Sequence, residues 1–110
     1  MTSFVTTAHS MLIGSADPDR LVDWYSRAFG TKADEDGVLT FEDGFTVKVE
    51  GREDVAATDP EPGRHILNVH VADARAAAAH LDEIGVTWLV APEDRGPGIF
   101  GTIVDPDGNY

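Results

Sequence analysis

The stretch "GTIVDPDGNY", Gly101 to Tyr110, decides how the rest of the chain is read. Asp105-Pro106-Asp107-Gly108-Asn109 is dense turn chemistry: proline presets φ at one corner, and glycine or asparagine accepts positive φ at another. Ile103 and Val104 lead in, as the first arm of a hairpin does. The same device occurs earlier, where "VLTFEDG" leads into Asp43-Gly44 and "FTVKV" leads out. The later turn has no strand after it in this sequence. By internal analogy, a counterpart of "FTVKV" is what the second copy lacks.

Outward from the two turns, the whole chain reads as a duplication. "AHSMLIGS" (Ala8–Ser15) is an apolar run of strand length. "ADPDRLVDWYSRAFG" reads as a helix with Asp17 as N-cap and Pro18 at the first helical position. Leu21, Trp24, Tyr25 and Ala28 form its apolar face, and Gly30 terminates it. "TKADEDG", "VLTFEDG" and "FTVKVEG" are short strand candidates separated by hairpin signals. The polar, Pro-rich "REDVAATDPEPG" (Arg52–Gly63) reads as a linker. The order then restarts. "RHILNVHVA" is a strand, and "DARAAAAHLDEIG" is a helix capped by Asp73 with Ala77, Leu81 and Ile84 on one face and Gly85 at its end. "VTWLVAPEDRG" and "GIFGTIVDPDGNY" are strands with turns. Asp17 and Asp73 lie 73 − 17 = 56 residues apart, about half of the 110-residue chain, as a twofold internal repeat requires. The expectation is a single domain, with module one at about 1–51, a linker at about 52–63 and module two at about 64–110.

Composition sets the outer limits. Eight Lys and Arg against 20 Asp and Glu give a net charge of −12, which argues against nucleic acid and anionic membranes as partners. An acidic surface is most simply a solubility device, and it also suits a cationic ligand. With no cysteine, there is no disulfide framework, thiolate metal site or cysteine nucleophile. No apolar run reaches the ~18 residues of a membrane span. "MTSFVTTAHSML" lacks the basic and apolar segments of a signal peptide. The expectation from these features is a cytoplasmic protein.

Three pieces in order resemble the vicinal oxygen chelate superfamily, which includes glyoxalase I, bleomycin-resistance proteins and extradiol dioxygenases. "LIGSADPDRLVDWYSRAFG" looks like its first strand and helix, "LNVHVADARAAAAHLDEIGVTW" like the second copy, and "EDRGPGIFGTIVDPDGNY" like its final hairpin. The resemblance implies an α+β fold of two βαβββ modules. They form a curved mixed sheet around a cavity, with helices on the convex side, and the last strand of module two is absent from this sequence. It also implies a homodimer. That missing strand leaves an expected unpaired edge in the second sheet, and truncation of a longer natural chain is the expectation over a structurally reduced one.

In metal-dependent relatives, each module gives one ligand from its first strand and one from its last. His9 matches the first position if the loop before Asp17 is one residue longer than usual; otherwise Ser10 takes it. Counting back from Asp73 puts Ile66 at the second position, and His65 only if the strand holds an extra residue. Lys48 falls where a glutamate is expected, and an ammonium has no lone pair for a metal at neutral pH. Glu50 lies two residues on, on the same face. The fourth position falls beyond Tyr110. Strand alternation points Ile66, Asn68 and His70 toward the cavity and Leu67, Val69 and Val71 toward the helix. His80, on the second helix, reads as a partly exposed helix residue.

The expected cavity wall thus comprises His9, Lys48, Glu50, Asn68 and His70, with Trp88 and Phe100 as aromatic candidates. His9, His65 and Glu50 are the candidate ligands if a divalent metal is bound. "GPG" (Gly96–Gly98) lacks the Lys-Ser/Thr ending and following helix of a phosphate loop, and reads as a mobile lid or a plain turn. The functional expectation is a small-molecule-binding protein resembling the glyoxalase and bleomycin-resistance family, without a complete metal site. The alternative is a divalent-metal-dependent lyase, isomerase or dioxygenase acting on a small oxygen-rich substrate.

Overall fold

Capping chemistry delimits both helices. Helix α1 spans Pro18–Phe29: the Asp17 carboxylate accepts from the Arg20 N–H, and Gly30, left-handed at φ 67°, returns its N–H to the Ser26 carbonyl. Helix α2 spans Ala74–Glu83: Asp73 accepts from the Ala76 N–H at 3.0 Å. Gly85 follows at φ 79°, donating its N–H to the Asp82 carbonyl. This computed structural model describes residues 6–110. The first five residues, part of the stretch read for a signal peptide, lie outside it.

The strands form two sheets, and the molecule is mixed α+β. In the first sheet β3 (Thr46–Gly51) lies between β1 (Ser10–Ser15) and β2 (Val38–Thr40). It runs parallel to β1, with Ser10 opposite Thr46 and Ser15 opposite Gly51, and antiparallel to β2. The second sheet is the antiparallel pair β4 (Thr87–Asp94) and β5 (Ile99–Val104). Its register slips twice because β4 carries an extra residue each time. Pro92, which has no N–H to give a ladder, lies in the second slip, and Gly101 lies opposite. A Cβ on Gly101 would meet Trp88 at 3.0 Å and Pro92 at 3.3 Å.

The core belongs to module one. Leu21 and Tyr25 from α1 pack on Leu39, Val47 and Val49 from the sheet, with Met11, Ile13, Phe29, Phe41 and Leu67 around them. In α2, only Leu81 is buried; Ala77 and Ile84 are half-buried.

Two expected strands are corrected. "TKADEDG" supplies one isolated bridge, Ala33 to Leu39. "RHILNVHVA" forms no strand among the described residues. The physical reason is pairing: in module one the central β3 holds β1, and no described segment fills that place beside residues 66–71. The expected alternation persists in burial over most of the run. Leu67 and Val69 are half-buried while Ile66, Asn68 and His70 are exposed, but Val71 is exposed too.

The turn at 105–109 has the same backbone pattern as the turn at 41–45. In each, the first N–H meets the fifth carbonyl at 2.9 Å, and the fourth N–H meets the first carbonyl at 2.9 Å. The later turn is also buried against α1. Asp105 accepts from the Tyr25 hydroxyl at 2.8 Å, the Asn109 amide, and the backbone N–H groups of Asp107 and Asn109. Asp107 accepts from the Ser15 hydroxyl at 2.5 Å and from Arg20 at 3.0 Å. Burial, then the charge and hydrogen bond of Asp105, then the charge of Asp107, raise the Tyr25 phenol well above its ordinary range. His80 adds a second tie between modules, bonding the Arg27 carbonyl at the end of α1 at 2.7 Å.

Two predictions follow from the docked turn. Tyr25→Phe leaves Asp105 short of a donor and costs about 1–2 kcal/mol at neutral pH. Because the folded Tyr25 pKa is raised, its favourable contribution is full below about pH 10, the ordinary tyrosine value, and is lost above it. The stability gap between wild type and Tyr25→Phe therefore narrows in urea denaturation above that pH. Gly108 and Gly44 both have positive φ, but only a Cβ on Gly108 meets a neighbour, Thr58 at 3.0 Å. Each Gly→Ala costs about 1–2 kcal/mol for the left-handed backbone, and Gly108→Ala costs more than Gly44→Ala. Equal losses would show that residue 58 is not packed on the turn.

Candidate functional site

Strand parity builds an open face on the first sheet. Met11, Ile13, Val47 and Val49 pack into the core, so Ser10, Leu12, Gly14, Thr46, Lys48 and Glu50 take the other side. The register aligns them in rows. Thr40, Thr46 and Ser10 form one row; Val38, Lys48 and Leu12 form the next; Glu50 and Gly14 form the third. Lys48 is exposed between two aliphatic neighbours, and Leu12 is 51% exposed. The result is an amphipathic surface with one ammonium near its centre and one carboxylate near its end.

Arg52 closes that end. A Cβ on Gly14 would come within 2.7 Å of the Arg52 side chain, so the glycine lets the arginine stem cross the face. Its guanidinium is held by Asp54 through bonds of 2.8 and 2.6 Å, and by Glu50 at 3.1 Å. Asp54 first and Glu50 second push the guanidinium pKa further upward. The bond from Arg52 holds the Asp54 carboxyl below the usual carboxylate range.

A sequence profile supplies the family: that of the glyoxalase-like domain matches residues 10–110. The chain belongs to the glyoxalase-like domain family. With it goes membership of the vicinal oxygen chelate superfamily. Solved structures with the same fold include a possible glyoxalase from Bacillus cereus, at TM-score 0.70, 14% identity, and coverage of 96% of this chain and 95% of that one. TioX from Micromonospora sp. ML1 matches at TM-score 0.69 and 20% identity, covering 94% of each chain. An integron cassette protein from V. cholerae matches at TM-score 0.70 and 18% identity, covering 99% of this chain and 94% of that one. No curated protein matches the sequence.

The residues that the resemblance suggests as ligand positions fall as follows. Ser10, the alternative to His9, begins β1 and shares the open face with Lys48 and Glu50. His9 is exposed one residue before β1, and its carbonyl accepts the Thr46 N–H at 3.1 Å. His65 is exposed in the segment before residue 66. Glu50 is already engaged by Arg52. Among the described residues, no three His, Cys, Asp or Glu side chains come together in a group that could hold a metal ion. His9, His65 and Glu50 therefore do not fit a three-ligand centre as placed.

Asn68 and His70 are exposed on the segment whose other side, Leu67 and Val69, lines a cavity of about 30 Å3 with Trp24, Tyr25, Phe29 and Ile103. That space is of the order that holds a single water. Trp88 donates its indole N–H to Asp82 of α2 at 2.8 Å and is engaged with the helix. Phe100 is 47% exposed, with the Arg95 guanidinium 5.6 Å above its ring. The "GPG" segment is a tight turn, closed by the Arg95 N–H on the Gly98 carbonyl at 2.9 Å. No described helix is long and apolar enough to cross a membrane.

Sequence reasoning missed Gly14, Arg52 and Asp54 because "REDVAATDPEPG" carries only the composition of a linker. The one available signal was three charges, Arg52, Glu53 and Asp54, directly after a strand. We predict that Arg52→Gln moves the Asp54 carboxyl titration to higher pH, read by carbon-13 NMR. All three groups are exposed, so the unfolding midpoint at neutral pH stays near that of wild type. An unmoved Asp54 titration would show that the clamp does not form.

Proposed function

We propose that this protein is a small-molecule-binding member of the glyoxalase-like family, of the bleomycin-resistance type, acting without a complete glyoxalase-type metal centre. The observation that carries the reading is Lys48, whose ammonium occupies the centre of the open face where metal-dependent relatives are expected to present a glutamate. An ammonium flanked by Leu12 and Val38 can orient a small ligand through one hydrogen bond while the aliphatic groups cover its apolar part, as in small-molecule sites generally. We further propose a homodimer, consistent with Leu12, Ile66, Val71, Leu89 and Phe100 being about half exposed. The low pI of about 4.4 would draw a cationic ligand to the surface as a whole, with Lys48 meeting an acceptor atom of that ligand rather than its charge.

Calorimetry on chelator-stripped protein tests the metal question directly. Nickel, zinc, iron and manganese are expected to give no tight stoichiometric uptake. Tight uptake abolished by His9→Ala would overturn the proposal and restore metal-assisted chemistry. Thermal-shift screening of small organic compounds tests the binding face. A hit raises the melting temperature by mass action, and Lys48→Ala or Leu12→Asp is expected to remove that rise.

A further inference from the structure

The segment expected to be a slack linker is a clasped loop. The Arg52 N–H bonds the Ser15 carbonyl at 2.9 Å, and the Asp59 N–H bonds the Asp107 carbonyl at 2.8 Å. Ser15 and Asp107 are themselves joined through the serine hydroxyl. The ends of residues 52–59 are thus tied to two residues that hold each other, the arrangement of a compact surface loop with its own interior.

Beneath it lies a cavity of about 210 Å3, lined by Gly14, Val55, Ala56, Asp59, Pro60 and Asp107. The volume falls below the roughly 300–1,000 Å3 of pockets for drug-sized ligands, which limits an occupant to a compact molecule. The lining side chains are those of Val55, Ala56 and Pro60 with two carboxylates; among the described residues no Lys or Arg is in the lining, although the Arg52 stem passes over Gly14 at its edge. Asp107 has both oxygens engaged, by Ser15 and Arg20. Asp59 accepts the Glu61 N–H on one oxygen, and among the described residues nothing bonds its other oxygen.

The geometry points to a second binding site here, for a compact organic cation such as a small quaternary or primary ammonium. The aliphatic residues cover its carbon body and Asp59 supplies the counter-charge. The nearest guanidinium groups do not oppose it, because Arg52 is neutralised by Glu50 and Asp54 and Arg20 by Asp107. This site adjoins the end of the open face at Gly14 and shares no other lining residue with it, so amide shifts at Val55, Ala56 and Asp59 distinguish it from binding around Lys48.

The test uses choline and its neutral carbon isostere, 3,3-dimethylbutan-1-ol, titrated into the full chain by calorimetry and backbone-amide NMR. Choline is expected to bind saturably with shifts at Val55, Ala56 and Asp59, at least about tenfold more tightly than the isostere. Asp59→Asn keeps the backbone tie to Asp107 and the acceptor for the Glu61 N–H. It is expected to weaken choline by about tenfold or more. Ala56→Leu, at an exposed position on the cavity wall, fills the space and abolishes binding of both probes. Absence of saturable binding, equal affinity for the two probes, or indifference to Asp59→Asn would each overturn the proposal. So would shifts confined to Ser10, Leu12 and Lys48.

Discussion

Two aspartates taken out of water hold the modules together. A buried carboxylate is costly unless its lone pairs are met, and the turn at 105–109 meets them from both sides. Its own backbone satisfies one oxygen of Asp105. The Asn109 amide and the Tyr25 hydroxyl share its other oxygen, and module one meets Asp107 through Ser15 and Arg20. Ser15 is the last residue of β1, Arg20 lies in the first turn of α1, and Tyr25 faces the core one turn later. One turn therefore fixes the end of a strand, the start of a helix and the depth of an aromatic ring. Asp107 also receives residue 59 on its carbonyl, so the loop at 52–59 takes its position from the same turn. The open face and the cavity beneath the loop both end at this junction.

What was legible in the sequence was local. Asp17, Pro18, Gly30, Asp73 and Gly85 announce their roles within four residues of themselves, because helix caps are short-range devices. The Asp-Gly turns are equally local. The partners of Asp105 and Asp107 lie 80 to 92 residues away in sequence, and no pattern around Ser15 or Tyr25 advertises them. Tyr25 was legible as part of an apolar helix face, which is true of its ring and silent about its hydroxyl. The arginine over Gly14 was hidden for a related reason. Glycine in a strand marks a close approach, but the approaching group lies across a turn in a segment whose composition reads as linker.

The register of the first sheet explains why parity arguments worked there and only in part in module two. β3 is paired on both sides, so each of its side chains is committed to the core or the open face. Residues 66–71 have no such ladder. Their alternation in burial comes from Leu67 and Val69 packing toward α1, and it fails at Val71, where that packing ends. The face assigned to Asn68 and His70 thus rests on two aliphatic contacts, whereas that of Lys48 rests on hydrogen-bonded strands to either side.

The duplication is uneven in a way that bears on stability. The helix caps repeat at 56 residues and the turns at 64 (Phe41 to Asp105), so module two has eight more residues between helix and turn. They fall in the longer β4–β5 hairpin with its two register slips. Carrying Ser15, Arg20 and Tyr25 forward by 56 gives Val71, Ala76 and Leu81, none of which has a side chain that can donate to a carboxylate. Carrying Asp105 back by 64 gives Phe41, which packs against Phe29 with ring centroids 6.1 Å apart. One copy of the turn is held by hydrogen bonds across the module boundary, and the other by apolar contact inside module one. The boundary is consequently one-sided in its hydrogen bonds: a polar clasp from module one onto the turn, supplemented by His80 on the Arg27 carbonyl and by Leu67 packed against the core. Loss of one donor is felt by both modules, because the carboxylate left behind stays buried at the junction of strand, helix and loop.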